Sequence, residues 1–195
     1  MVDLLKIQPS AFAKTVARQI NRNPEHVEVI LRESSGIVRM KDNHLITETK
    51  HGYVCANAGV DKSNVTGKHR VSLLPEDPDG SAERIRRRIE GLSKVKVAVV
   101  ISDTFGRAWR IGHVNFAIGV AGMKPVRDYR GQRDMFGYKL RVTAMAVVDE
   151  LAAAAELVMN KSDGIPVVII KGYSYPRGKG SAKELVRPIQ EDLFR

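Results

Sequence analysis

Apolar residues near the start of the chain recur every three or four positions, the spacing that places side chains on one face of a helix. They are Phe12, Val16 and Ile20 in a first segment and Val27, Ile30 and Leu31 in a second. Pro9-Ser10 marks the start of the first segment, and Asn23-Pro24 supplies a cap and a first-turn proline for the second. The pattern predicts two short helices.

Shorter apolar runs bounded by turn residues predict strands further along the chain. They cover residues 36–40, 45–49, 53–56, 95–102, 116–120 and 166–170. The first three runs follow one another across short turns, so they can pair as hairpins. The run at 95–102 leads into Asp103 and Thr104, which we expect to project beyond the carboxyl end of that strand.

Two longer helices are predicted at residues 82–92 and 142–159, the second because it is rich in alanine. In the first of them, the apolar residues that we expect to face the core are Ile85, Ile89 and Leu92. Paired strands early in the chain and helix-strand units later predict an α+β fold. With 195 residues and no low-complexity segment, we expect one domain spanning residues 1–195.

The charge balance favours anionic partners. The 32 lysine and arginine residues exceed the 22 acidic ones and leave a formal charge of +10, which attracts nucleic acids, nucleotides and phosphorylated metabolites alike. The densest basic cluster lies at residues 84–88, and a solvated helix face is the simpler interpretation of it. A basic RNA-binding protein without catalytic activity, using this cluster and the lysines near the end of the chain, is the alternative hypothesis. Nucleic acid is not our expected partner, because no segment resembles an RNA-binding module and aromatic residues make up only 6% of the chain.

Cysteine usage and the longest apolar segment bear on the compartment. Cys55 is the lone cysteine and cannot form an internal disulfide, and the chain opens without a basic and apolar leader. Residues 142–159 are interrupted by Asp149, Glu150 and Glu156, which would be unfavourable in hydrocarbon. We expect a cytoplasmic protein with no membrane partner.

Most catalytic signatures are absent from the sequence. It has no nucleophile elbow, no Cys/His cluster at zinc spacing and no complete phosphate-binding loop. The glycine-rich segment at residues 172–180 has one spacer too many for such a loop, and a flexible turn is the simpler interpretation of it.

Two short polar segments could bind a hard cation. One is the loop at residues 57–64, which contains Asp61, and the other is Asp103-Thr104. Each has a structural alternative, because the same side chains form Asx turns or cap the next backbone turn. The residues alone leave both interpretations open.

Several longer segments, taken together and in order, are more specific. They are VCANAGVDKSN at residues 54–64, LLP at 73–75, DPDGSA at 77–82, SDTFGR at 102–107, AIGVAG at 117–122, DYRG at 128–131, DMFG at 134–137 and DGIP at 163–166. Over essentially the whole chain they resemble the GTP-dependent gamma-glutamyl ligases of the deazaflavin coenzyme F420. The resemblance implies a two-lobed α+β subunit that forms a homodimer.

The same resemblance implies an activity. Such a ligase transfers the γ-phosphate of GTP to a carboxylate of coenzyme F420-0, and the amine of L-glutamate then attacks the acyl phosphate to form a gamma linkage, with release of GDP and phosphate. Divalent metal suits this chemistry because it neutralises triphosphate charge and brings carboxylate and phosphate together. The cofactors implied are two Mg²⁺ or Mn²⁺ ions, with K⁺ as a further cation.

The family's motifs also imply roles for individual residues. Asp61 and Asp103 would hold one metal ion, Thr104 would help to hold a second, and Asn64 would contact GTP. A further nucleotide-binding segment consists of Met159, Asn160, Lys161, Ser162, Asp163, Gly164 and Ile165. Lys161 stands where other members supply an oxygen ligand for the second metal, and because an ammonium cannot ligate a metal ion we assign Lys161 to the phosphates. No catalytic residue beyond the metal ligands is assigned.

Two further expectations follow from comparison with the family's pattern. Five arginines between residues 107 and 133, near Trp109 and Tyr129, could bind the deazaflavin or lie at a subunit interface, and none receives an individual role. The chain also begins after the point where family members carry an N-terminal segment of the GTP site. We therefore expect a chain that lacks this segment. A third hypothesis is an inactive subunit that only pairs with a complete partner.

Overall fold

The chain's secondary structure alternates between helices and antiparallel strands in a computed structural model that describes residues 1–193. Its contacts divide the chain into two compact units. The N-terminal unit comprises Met1–Glu76 and the segment that begins at Pro188, and the C-terminal unit comprises Asp77–Arg187. This mixture of helices and antiparallel sheets confirms the predicted α+β class.

The N-terminal unit combines two helices with a three-stranded antiparallel sheet. The elements are β1 (Val2–Asp3), α1 (Ala11–Gln19), α2 (Pro24–Arg32), β2 (Ser34–Lys41), β3 (His44–Thr49), β4 (Val54–Ala56) and β5 (Arg70–Val71). The three-stranded sheet has the order β2-β3-β4, and β1 pairs separately with β5. Short 3₁₀ turns lie at Leu4–Lys6, Asn57–Gly59 and Ile189–Glu191.

Both predicted starts of the first two helices are confirmed. The Ser10 hydroxyl accepts a hydrogen bond from the backbone of Ala13, and the Asn23 side chain accepts one from His26, so each caps its helix. Ser10 also donates its N–H and its hydroxyl to Glu28 of α2, at 3.0 and 2.7 Å. These hydrogen bonds lower the pKa of Glu28 and tie the start of α1 to α2.

The core of the N-terminal unit is formed by one face of each helix and by the sheet. Its most buried residues are Ala13, Val16, Ala17, Ile20, Val27, Ile30, Leu45 and Val71. Phe12, which we expected on the apolar face of α1, is 60% exposed. The buried face of α1 consists of Ala13, Val16 and Ala17.

The C-terminal unit is built around a long antiparallel hairpin. Its elements are α3 (Pro78–Ser93), β6 (Val99–Arg107), β7 (Arg110–Ala121), β8 (Arg127–Asp128), β9 (Ala144–Met145), α4 (Val147–Met159) and a 3₁₀ turn at Ala182–Leu185. β6 pairs with β7, and both α3 and α4 pack against this hairpin. The core consists of Ala117, Val120, Met123, Val147, Val148 and Ala182.

Two motifs of the sequence hold this unit together. Asp79, in the first turn of α3, accepts hydrogen bonds from Val120 N–H at 2.8 Å, from Ala182 N–H at 3.1 Å and from the Ser181 hydroxyl at 2.5 Å. Gly119 lies so close to the Pro78 carbonyl that a β-carbon would overlap it. The DPDGSA and AIGVAG segments therefore pack against each other, with a carboxylate that joins a helix, a strand and a 3₁₀ turn.

Several predicted boundaries were wrong. α3 begins four residues earlier than expected, because Asp77 caps it and Pro78 suits the first turn. β6 begins at Val99 instead of residue 95, since the Val97 N–H is donated to the Glu90 carboxylate at 3.2 Å. Asp103 and Thr104 lie within β6 and not beyond its end, because β7 pairs with the strand past both of them.

Two apolar segments were also misassigned. Residues 166–170 form no strand, and no strand of the described chain pairs with them. The helix at residues 142–159 begins only at Val147. On α3, Ile85, Ile89 and Leu92 are 45%, 39% and 70% exposed, so the stripe that we expected to face the core does not.

The basic cluster on α3 is partly neutralised. Arg86 forms ion pairs with Glu83 and Glu90, and Arg87 also pairs with Glu83. These i,i+3 and i,i+4 pairs favour the solvated helix face over a polyanion-binding surface.

Candidate functional site

The loop that carries Asp61 begins with an unusual backbone turn. Asn57, Ala58 and Gly59 all have positive φ angles, of 56°, 52° and 70°. The Ala58 side chain is almost completely buried, and a non-glycine residue in this region is disfavoured by about 1–2 kcal/mol. Backbone strain of this kind is common at functional sites, and here the strained turn ends two residues before Asp61.

Gly59 is required in this turn for a second reason. A β-carbon at this position would overlap the side chain of Leu74, which belongs to the LLP motif. After the turn, Val60 is buried and Asp61 emerges at the surface, where its backbone exchanges hydrogen bonds with Ser72. The turn, the buried valine and the bridge to Ser72 together fix where the carboxylate of Asp61 emerges.

The Asp61 carboxylate accepts hydrogen bonds from both the backbone N–H and the hydroxyl of Ser63. This is the Asx turn that the sequence offered as the alternative to a metal ligand. This turn leaves room for a metal contact, because a carboxylate has about four lone-pair sites and this one is exposed. Asn64, also exposed and with a φ of 52°, lies in the same loop.

A cluster of polar side chains behind this loop was not predicted from the sequence. Arg22 donates to the Asn57 side chain at 2.5 Å, and its other terminal nitrogen lies 3.3 Å from His26 Nδ1. Partial burial lowers the pKa of Arg22. Burial is also the main reason why the pKa of His26 falls from 6.5 to about 4, assisted by the positive charges of Lys62 and Arg22. No local pattern links Arg22 to Asn57, since 35 positions separate them.

Arg22 also lines a cationic groove in the N-terminal unit. This groove has a volume of about 640 Å³ and is lined by Lys14, Ala17, Arg18, Asn21, Arg22 and Pro24. Three of the six lining residues are basic, so the groove carries positive charge beside the base of the Asp61 loop.

In the C-terminal unit, Thr104 lies within a polar cluster. Thr104 on β6 pairs with Asn115 on β7, and its hydroxyl donates to the Asn115 side-chain oxygen at 2.7 Å. The ammonium of Lys161 lies 2.6 Å from the same hydroxyl, 3.3 Å from the Asn115 oxygen and 3.1 Å from the Glu156 carboxylate. Asn115 and Glu156 were not predicted site residues, because neither stands in a segment that the resemblance singled out.

Asp103 lies next to Thr104 on the same strand and opposite Phe116 on β7. Successive side chains of a strand point to opposite faces, so Asp103 and Thr104 leave β6 on different sides. Because Asp61 belongs to the N-terminal unit and Asp103 to the C-terminal one, a metal ion shared by these two carboxylates stays a prediction.

The predicted nucleotide segment follows the end of α4 at Met159. Asn160, with a φ of 50°, ends the helix and donates its side-chain amide to Asp163 at 2.8 Å. Ser162 donates its hydroxyl to the other oxygen of Asp163 at 3.2 Å. Residues 160–165 are exposed, and Gly164 has a φ of 67°. The segment is thus a surface loop ordered by its own carboxylate, with Lys161 directed to the Thr104 cluster.

The donor sets differ in how well they suit a metal ion. The described residues contain no group of three or more His, Cys, Asp and Glu side chains placed to share one. Asp61 offers an exposed carboxylate with free coordination capacity, which fits a hard cation whose other ligands come from phosphate or water. The oxygens around Thr104 already surround an ammonium and do not fit a second divalent ion in this arrangement.

In the described part of the chain, no helix is long and apolar enough to cross a membrane.

An α+β architecture with an ordered aspartate loop and a cationic groove is consistent with an enzyme that handles anionic substrates. A model of the family described as F420-0:Gamma-glutamyl ligase matches residues 1–172. The chain belongs to this family and is therefore a ligase.

Three relatives illustrate how far the similarity extends. The chain is 47% identical to the coenzyme F420:L-glutamate ligase of Methanocaldococcus jannaschii, 48% to that of Methanothermobacter thermautotrophicus and 46% to that of Methanopyrus kandleri. Each match covers 100% of this chain and 78%, 78% and 79% of the respective relative. The similarity therefore includes both units.

Proposed function

We propose that this chain joins L-glutamate to coenzyme F420-0 through a gamma linkage, using GTP to activate the acceptor carboxylate. The observation that carries this proposal is the similarity over the whole chain, at 46–48% identity, to ligases named for coenzyme F420 and L-glutamate. Small molecules, namely coenzyme F420-0, L-glutamate and GTP, are the proposed substrates.

The proposed reaction has two steps that balance. A carboxylate oxygen of F420-0 attacks the γ-phosphorus of GTP, the bond to the bridging oxygen breaks, and GDP leaves. The amine of glutamate then attacks the carbonyl carbon of the acyl phosphate, the bond to the phosphate oxygen breaks, and inorganic phosphate and one proton are released. Both steps bring anions together, so catalysis requires charge neutralisation and positioning.

Residues of both units are proposed to meet this requirement. Asp61, in its ordered loop, is the proposed ligand of Mg²⁺ or Mn²⁺, with Asp103 as the second carboxylate. A divalent ion there would supply charge neutralisation of the triphosphate. Asn64 and the loop from Met159 to Ile165 are proposed to hold the nucleotide. Their exposed polar groups, including Asn160 and Ser162, support this assignment.

The electrostatics of the N-terminal unit support an anionic substrate. Lys14, Arg18 and Arg22 line the groove described above, and the chain as a whole carries a formal charge of +10. Such a field raises the local concentration of polyanions and accelerates their association. It does not distinguish GTP from other triphosphates, so the nucleotide preference is part of the test.

The direct test is mass spectrometry of F420-0 after incubation with the protein, L-glutamate, Mn²⁺ and GTP. We expect a mass gain of one or more glutamyl groups that requires GTP and is lost on omission of the metal. Parallel reactions with ATP, and measurement of released GDP and phosphate, test the nucleotide and the stoichiometry. Absence of a glutamyl product under all these conditions would contradict the proposal.

The acyl phosphate has its own test. In a reaction without glutamate, hydroxylamine should trap the activated carboxylate as a hydroxamate, since an acyl phosphate reacts readily with this amine. If a glutamyl product forms but hydroxylamine yields no hydroxamate, the carboxylate is activated in a different way.

A homodimer is the proposed assembly, supported by large apolar side chains at the tip of the β6–β7 hairpin. Trp109 is 82% exposed and Ile111 is 101% exposed, which is unfavourable for a surface that stays in water. Sedimentation velocity should give twice the chain mass for the native protein. The double variant Trp109→Ser/Ile111→Ser should sediment as a monomer, and a dimer that survives this change would place the interface elsewhere.

A further inference from the structure

The Lys161 ammonium lies among three oxygens. They are the Thr104 hydroxyl at 2.6 Å, a Glu156 carboxylate oxygen at 3.1 Å and the Asn115 side-chain oxygen at 3.3 Å. An ammonium has three N–H donors, and here each has an oxygen within reach. The Lys161 ammonium therefore lies in a defined set of oxygens.

The fold constructs this set from distant parts of the chain. Thr104 and Asn115 face each other across the β6–β7 pair, and Glu156 lies in the last turn of α4. Asn160 ends that helix with a φ of 50°, which redirects the chain so that Lys161 returns toward the strands. Asn115 is only 5% exposed, so its side-chain oxygen needs a hydrogen-bond donor. Thr104 and Lys161 each donate to this oxygen.

These oxygens are chemically a set for a hard cation. Carboxylate, carboxamide and hydroxyl oxygens are the groups that bind Mg²⁺ and Mn²⁺ in proteins. A divalent ion requires contacts of about 2.0–2.2 Å to such oxygens, and it cannot share them with an ammonium of like charge. While Lys161 holds its place, no second metal ion can bind through Thr104.

We propose that Lys161 acts as a tethered cation that replaces the second divalent ion expected at Thr104, so that the chain binds one divalent ion fewer than that expectation implies. The proposal extends the proposed function, because the positive charge is supplied within the predicted nucleotide loop. It also gives Lys161 a role that is compatible with phosphate contact, since its side chain remains 60% exposed.

The test counts bound Mn²⁺ by electron paramagnetic resonance, which detects the free ion, in titrations extended to millimolar concentration without nucleotide. Lys161→Gln removes the ammonium and offers a neutral oxygen in its place. We expect this variant to bind one more Mn²⁺ per chain than the native protein does. Lys171→Gln, a change at another exposed lysine outside the cluster, should leave the count at the native value.

A second variant locates the added ion. In Lys161→Gln/Thr104→Val the hydroxyl is replaced by a methyl group of similar size, and the additional Mn²⁺ should disappear. Circular dichroism of each variant checks that the fold is retained. Equal counts in native protein and Lys161→Gln would overturn the proposal, and so would an additional ion that persists in the double variant. Failure of the ligase assay is a separate outcome, because this measurement involves no turnover.

Discussion

The Asp61 loop of the N-terminal unit and the Thr104 cluster of the C-terminal unit place polar groups by opposite means. The Asp61 carboxylate is oriented by Ser63, two positions away, after a turn of three residues with positive φ. The Thr104 hydroxyl is oriented by Asn115 and Lys161, which lie 11 and 57 positions away. The first arrangement depends on local backbone conformation and the second on tertiary packing.

This difference has a chemical consequence. A carboxylate held by its own loop stays exposed and keeps lone pairs available for a metal ion. The Thr104 hydroxyl is already hydrogen-bonded to side chains from other elements, and one of those partners is a cation. Both regions were predicted to bind metal, yet the oxygens of the Thr104 cluster already contact an ammonium, whereas the Asp61 carboxylate contacts only its own loop.

The largest expected effect concerns Asp61. Asp61→Asn removes the charge that a divalent ion requires while it keeps one oxygen to accept the hydrogen bond from the Ser63 N–H, so the turn should survive. We expect glutamyl transfer to fall by at least about 100-fold, measured by mass spectrometry of F420-0 products. Asp42→Asn, in the exposed turn between β2 and β3, should retain native activity. A similar loss in both variants would mean that Asp61 has no special role.

The packing of the C-terminal unit should depend strongly on Asp79. Asp79→Ala leaves the N–H groups of Val120 and Ala182 and the Ser181 hydroxyl without their acceptor. We expect the free energy of unfolding to fall by about 3 kcal/mol, measured by urea denaturation. Asp134→Ala, which removes hydrogen bonds only within an exposed loop, should cost about 1 kcal/mol or less. Equal losses would show that the long-range contacts add nothing.

His26 gives the N-terminal unit a pH-dependent stability. The unfolded chain binds a proton at the ordinary pKa of 6.5, whereas the folded chain binds it only near 4. Protons therefore favour the unfolded state, so stability is complete above pH 6.5 and falls as the pH drops toward 4.

Urea denaturation at a series of pH values between these two limits measures the effect of His26. His26→Gln should flatten this part of the profile, while His44→Gln, at an exposed position, should preserve it. A native slope in His26→Gln would assign the pH dependence to another group.

The strained turn before Asp61 should show a smaller effect. Gly59→Ala places a β-carbon against Leu74 at a φ of 70°, so we expect a loss of about 2 kcal/mol in the free energy of unfolding. Gly36→Ala is the matched control, because a β-carbon there meets no atom within 4 Å. If the two variants are equally stable, the close packing of Gly59 against Leu74 does not fix the Asp61 loop. The contrast with the Thr104 cluster would then weaken.

Much of the fold could be predicted because its signals are local. The caps at Ser10 and Asn23, the first three strands and the α+β class follow from side chains and neighbours within a few positions. The start of α3 was misplaced although its signals, Asp77 and Pro78, are local. Other errors arose where long-range pairing decided the outcome. β6 extends past Asp103 and Thr104 because β7 pairs with it that far, while the apolar run at residues 166–170 has no partner strand in the described chain.

The sequence by itself determined the family, through ordered motifs, and the Asp61 turn, through residues that are adjacent along the chain. Only the tertiary structure decided that Arg22 contacts Asn57, that Asp79 joins α3 to β7, and that Lys161 lies among three oxygens. Hydrogen bonds between distant residues leave no periodic or compositional signal, because each depends on how helices and strands pack. The chemistry of the Thr104 cluster is consequently a property of the fold.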